Sequence, residues 1–168
     1  MSRWRIDTES TSIKVTFKPG VPGVGLRVRG ITGNFEATLD ELGHPDLDHP
    51  VEGQFEVTVD DLRLGPPLLD RAVRGFLGGD REIAARGWMG DVVPVGDEQY
   101  RFVLRIELRG VRDDIDAIGR TALQPDGTVQ VSGTSEVDPK RLGIPIPRLL
   151  PLICKAHWDL RILPDDQL

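Results

Sequence analysis

Apolar and polar residues alternate along most of this chain. Ile13, Val15 and Phe17 bracket Lys14 and Thr16. Ile31, Gly33, Phe35, Ala37 and Leu39 are interleaved with Thr32, Asn34, Glu36 and Thr38. Phe55, Val57 and Val59 repeat the pattern, as do Val129, Val131 and Val137, and Trp158, Leu160 and Ile162. The longest run is Tyr100, Phe102, Leu104, Ile106 and Leu108, in which Val103 is the one apolar interruption. Successive side chains of a strand point to opposite faces, so each segment predicts a strand with one apolar and one wet face. Weaker strand signals fall near 24–29, 81–90 and 113–123. Turn signals at Pro19-Gly20, Gly43-His44-Pro45, Gly78-Gly79, Gly96-Asp97 and Asp126-Gly127 separate about eight strands.

One segment follows a helical period. Leu68, Leu69, Ala72, Val73, Phe76 and Leu77 form a single stripe, with Asp70, Arg71 and Arg74 opposite. Pro66-Pro67 suits its start and Gly78-Gly79 its end. A second short helical turn is expected near Pro139 to Leu142.

About eight half-apolar antiparallel strands in an open sheet would leave two bare edges, and closure into a barrel removes them. A barrel of that size is either filled by its own side chains or holds one small ligand. The alternation fits both. There is no internal repeat or linker, so residues 1–168 are read as a single domain.

Composition narrows the classes of function. The 19 glycines and 13 prolines disfavour a helical bundle. A net charge of −6 argues against nucleic acid, whose phosphates need a positive surface. The single cysteine, Cys154, excludes an intrachain disulfide and a cysteine-rich metal site. Set among Leu150, Leu152 and Ile153, it is expected to be an inert buried thiol. The arginines near the N-terminus precede no apolar run of a secretory signal. The most apolar stretch, Leu142–Cys154, carries Pro145, Pro147, Pro151 and Arg148, and is too broken to span a bilayer. The expected location is cytoplasmic.

Several short motifs occur in a telling order: Trp4-Arg5-Ile6-Asp7, then Ile31-Thr32-Gly33-Asn34-Phe35-Glu36, then Val57-Thr58-Val59-Asp60-Asp61-Leu62 leading into the helical stripe. Arg109-Gly110-Val111 and Leu142-Gly143-Ile144-Pro145 follow. Together they resemble the YceI-like polyisoprenoid-binding family over nearly the whole chain. Ser10-Thr11, Ile106-Glu107-Leu108-Arg109-Gly110 and Asp70-Arg71-Ala72-Val73 depart from its pattern, and the family's usual histidines are missing there. The resemblance implies an all-β lipocalin-like barrel with one short helix after the third strand. It implies a long isoprenoid or similar apolar chain in the cavity, no catalytic residue and no cofactor.

On this reading the chain binds, carries or sequesters an apolar small molecule. The expected wall comprises Ile13, Val15, Phe17, Phe35, Phe55, Val57, Val73, Phe76, Trp88, Phe102, Leu104, Ile106 and Trp158, with the aromatics contributing most area. Arg71 and Arg74 are candidates for a head-group contact, weighed against plain solvation on the helix's outer face. A second reading makes the barrel a ligand-free scaffold, with Leu142–Cys154 contacting a partner or a second copy in a homodimer. A third is a small hydrolase or isomerase using Asp113, Asp114 or the His44–His49 loop. His44, Asp46, Asp48 and His49 have metal-ligand chemistry, but flanking prolines and a glycine describe a solvated loop, and no metal is expected. Asp113, Asp114 and Asp116, flanked by Arg112 and Arg120, are read as a charged strand entrance. His157 is expected on the surface. Gly20, Gly23, Gly25 and Gly30 lack the lysine and helix that a phosphate loop needs.

Overall fold

The computed structural model describes residues 2–18, 25–63, 65–77, 82–145 and 153–165. In chain order the strands are β1 (Ser2–Ile6), β2 (Ser12–Lys18), β3 (Leu26–Val28), β4 (Thr32–Ala37), β5 (Glu52–Thr58) and β6 (Leu62–Arg63). One helix, α1 (Pro67–Leu77), comes next. It is followed by β7 (Ile83–Gly96), β8 (Gln99–Leu108), β9 (Val111–Leu123), β10 (Val129–Val137) and β11 (Ile153–Pro164).

All pairings are antiparallel, and eight strands close on themselves in the order β1-β4-β5-β7-β8-β9-β10-β11. The last strand makes the closure: Ile162–Pro164 pairs with β1, while Ile153–Asp159 pairs with β2. β2 continues outward to β3 and β6. Closure leaves no long bare edge among the eight, which answers the edge problem posed by the alternation.

The helix differs from expectation in position, following β6 rather than the third strand. β1 carries two arginines in five residues and β6 has only two residues, so neither offers enough alternation to be read as a strand. The segment expected to make a helical turn is a hydrogen-bonded turn, in which Arg141 N–H donates to the Asp138 carbonyl and Gly143 N–H to that of Lys140. The turn signals at Pro19-Gly20 and Gly78-Gly79 lie outside the described residues, as does most of the expected Leu142–Cys154 segment.

Two ends of the barrel are distinguishable. At one, α1 meets the two-residue β8–β9 turn. Arg109 and Gly110 both have positive φ, as a type I′ hairpin turn requires, and the Arg109 guanidinium stacks on Phe76 at 4.4 Å from the ring centroid. The other end carries the β7–β8 and β9–β10 turns and the segment between β4 and β5. That segment is tied down by the Leu123 N–H, which donates to the Leu42 carbonyl. Outside, cross-strand pairs such as the bidentate Arg105–Asp114 contact occupy the wet face.

Candidate ligand cavity

Buried Ile6, Ile31, Phe35, Val57, Leu108, Val129 and Ile162 form the core, but they do not fill the barrel. A cavity of about 670 Å³ runs through it. That lies in the size range of small-molecule sites, which are mostly apolar with few polar groups. Each long strand contributes alternate residues: Phe102, Leu104 and Ile106 of β8, Val129 and Val131 of β10, Ala156, Trp158 and Leu160 of β11. The helix closes over it with Val73, Phe76 and Leu77.

Three aromatic rings owe their position to glycine. Phe35 lies directly across from Gly53, and Phe55 from Gly87. A Cβ at either glycine would run into the ring. Trp158 extends over Gly133 and Gly119 on the next two strands in the same way. Its ring meets Phe102 edge-on at 5.4 Å between centroids. Each ring fills the space that a side chain on the facing glycine would need.

Every expected wall residue lines the cavity except Trp88. In β7 the inward positions are Ala85, Gly87 and Met89, and Trp88 falls between them on the outer face. There it borders a shallow groove with Gln54, Glu56 and Arg86, and the Arg112 guanidinium lies 5.6 Å from its ring centroid. Its size suggested the wall; its strand phase places it outside. Met89, one residue on, takes the inward place. The wall also includes Leu39, which continues the alternation of β4 just past its end, and Pro45 and Val51, which lie between strands β4 and β5 and carry no periodic signal.

Few polar residues line the cavity: Tyr100, Arg120, Thr121, Ser135 and Cys154. Burial pushes the Tyr100 hydroxyl's pKa up. The Cys154 thiol is pushed up to about 11 by burial and then by Asp138, so it is protonated and unreactive at neutral pH. The Trp158 Nε1 and Thr121 Oγ1 atoms are buried without a hydrogen-bond partner.

The other candidates are distributed differently. Arg74 is held by Asp60 at 2.6 Å, and Arg71 is exposed on the helix surface; neither lines the cavity. Asp113 departs from the expected charged strand entrance: it is buried, shares the inward face of β9 with Ile115 and Ala117, and pairs with Arg141 at 2.6 Å. Asp114 points to the outer face, where Arg105 holds its pKa below the usual carboxylate range. Neighbouring carboxylates on opposite faces of a strand cannot share a proton or a substrate. In the His44–His49 loop, His49 Nδ1 lies 3.0 Å from Asp46 and His44 Nδ1 3.5 Å from Asp40. Among the described residues, no group of three or more His, Cys, Asp or Glu side chains is arranged to hold a metal ion. His157 is exposed on the outer face, as its place in the alternation requires.

A closed antiparallel barrel around an apolar cavity defines the lipocalin-like class of fold. Among solved structures the chain has the YceI-like form of it. It is similar to BcnA of Burkholderia cenocepacia with a TM-score of 0.73 and 12% identity, over 94% of this chain and 99% of that one. It is similar to a polyisoprenoid binding domain from Saccharophagus degradans implicated in plant cell wall breakdown, with a TM-score of 0.67 and 10% identity, over 98% and 99%. A Campylobacter jejuni YceI protein follows with a TM-score of 0.60 and 10% identity, over 84% and 86%. No family model and no curated protein matches the sequence itself. No helix among the described residues is long and apolar enough to cross a membrane.

Proposed function

We propose that this protein binds, carries or sequesters one long apolar chain, isoprenoid or otherwise lipid-like, without chemically changing it. The observation that carries the reading is the open, almost wholly apolar bore. An empty apolar cavity is costly in packing, and a chain entering it removes its own apolar surface from water. The polyisoprenoid binding domain that shares the fold supports the same class of ligand. Size limits it further. At about 30 Å³ per heavy atom, the share of a water molecule in the liquid, a cavity of about 670 Å³ takes about 22 heavy atoms, or roughly four isoprene units. The segregation of Asp113 and Asp114 to opposite faces counts against acid–base catalysis by that pair.

Organic extraction of natively purified protein, followed by mass spectrometry, should release a lipid-like molecule in stoichiometric amount. Protein that carries none, and that also fails to take up added prenyl alcohols, would refute the reading.

A further inference from the structure

We propose that the ligand ends in an uncharged hydroxyl, and that this hydroxyl is seated beside Gly119 between Trp158, Tyr100 and Thr121. The inference rests on the apolar-chain reading and adds to it the polar end of the chain and the residues that hold it.

Three side chains able to hydrogen-bond meet around one glycine. The Trp158 ring crosses Gly133 and reaches Gly119, where an added Cβ would meet its outer edge. Tyr100 of β8 is paired with Gly119 from the other side. Thr121 is the next inward residue of β9 after Gly119, and all four line the cavity. Tyr100 lies near the start of β8 and Thr121 near the end of β9. The seat therefore lies towards the end of the barrel that carries the β7–β8 and β9–β10 turns, and the chain runs from there towards the helix. None of the three groups is satisfied by the protein. The Trp158 Nε1 and Thr121 Oγ1 atoms are buried and unbonded, and Trp158 is only 7% exposed. The Tyr100 hydroxyl makes no hydrogen bond to another described residue. Buried groups of this kind are ordinarily paired, and an unpaired one is costly. The partner that the barrel does not supply comes from the bore that all three line.

Donor and acceptor capacity selects the chemistry. An indole N–H only donates, whereas threonine and tyrosine hydroxyls donate or accept. A ligand hydroxyl has one donor and two acceptor sites. It accepts from Trp158 and from one protein hydroxyl and donates to the other, which satisfies all three groups at once. Charge excludes an acid. Burial, and then the charges of Asp40 and Glu98, push the Tyr100 pKa up, and the same two carboxylates oppose a carboxylate or phosphate at that place. Arg120 also borders the cavity, but it belongs to the outward phase of β9 and is exposed. Ser135 lines the cavity one row nearer the helix, across from Ala117 and Ala156, and the Cys154 thiol beyond it is a weak donor.

Displacement of a fluorescent apolar probe tests the proposal, using a prenyl alcohol, the carboxylic acid of the same chain and the parent hydrocarbon. Thr121→Val and Tyr100→Phe keep the shape of the wall and remove a hydroxyl. Each should weaken the alcohol about fivefold, the worth of one hydrogen bond, and leave the hydrocarbon unchanged. The acid should bind the wild type more weakly than the alcohol does. Ser135→Ala should leave the balance between alcohol and hydrocarbon as it is in the wild type. The Trp158 indole N–H resonance, assigned by its loss in Trp158→Phe, should move further downfield with the alcohol than with the hydrocarbon. Neither hydroxyl variant should be less stable to urea than the wild type, since neither hydroxyl has a partner within the protein. Equal losses for alcohol and hydrocarbon, an acid that binds as tightly as the alcohol, or an effect carried by Ser135→Ala instead would overturn the proposal. Failure of alcohol and hydrocarbon alike to bind the wild type would overturn the apolar-chain reading itself, so the two failures are distinguishable.

Discussion

Val131→Phe should shorten the longest chain the barrel can hold. Val131 is half-buried on the inner face of β10 and lines the cavity. Phenylalanine adds four heavy atoms there, about 120 Å³ at the liquid share of about 30 Å³ each. The ring projects into open space, so overpacking strain stays small. A ladder of straight-chain alcohols, measured by displacement of a fluorescent fatty probe, reads the consequence one carbon at a time. Each added methylene should tighten binding about fourfold while it is still being buried. In the wild type the gain should stop at about 22 heavy atoms, and in Val131→Phe at about 18. Affinity below the break should be nearly the same in both, because the remaining wall is untouched. A break at the same length in both proteins, or affinity that climbs past the break without limit, would refute the reasoning. The first result would put the ligand elsewhere, and the second would mean that the chain is not confined by the bore.

Gly87→Ala should displace the Phe55 ring into the cavity and weaken binding of chains near the length limit several-fold. Adding Phe55→Ala should restore it, as a displacement titration would show. Arg141→Ala should lower stability to urea by about 1–3 kcal/mol, because it leaves the buried Asp113 carboxylate unpaired. Arg105→Ala, which breaks an exposed pair, should cost less than about 1 kcal/mol in the same assay. Cys154 titrates at about 11 in the fold, against 9.0 for an ordinary thiol. Its contribution to stability is complete below pH 9 and is lost as pH rises towards 11. The urea midpoint of the wild type should therefore fall more steeply over that window than that of Cys154→Ala.

Where the chain keeps strict period, the sequence already places the wall. Phe102, Leu104 and Ile106 face inward because nothing interrupts β8 between them. The bulk of Trp88 favours an inward place, but Gly87 and Met89 on either side hold the inward phase of β7. Asp113 shows the converse. Its register with Ile115 and Ala117 was present in the alternation, but a carboxylate at the start of that series looked like a surface residue. Its partner Arg141 lies 28 positions along the chain by residue number, beyond the reach of any local pattern. Leu39 keeps the phase of Phe35 and Ala37, whereas Pro45 and Val51 join the wall only because the segment between β4 and β5 folds over the end of the barrel. Whether the bore is open depends on how all the strands close together, which no single segment records.

The glycines beneath the aromatic rings place control of the bore one layer behind its surface. Gly53, Gly87, Gly119 and Gly133 contribute no side chain for a ligand to meet, yet they fix how far Phe35, Phe55 and Trp158 stand into the bore. One methyl group added at such a position acts as a shim, altering calibre without altering the chemistry of the lining. A barrel built this way can drift in the length and girth of what it accepts while every residue in direct contact with its cargo stays the same.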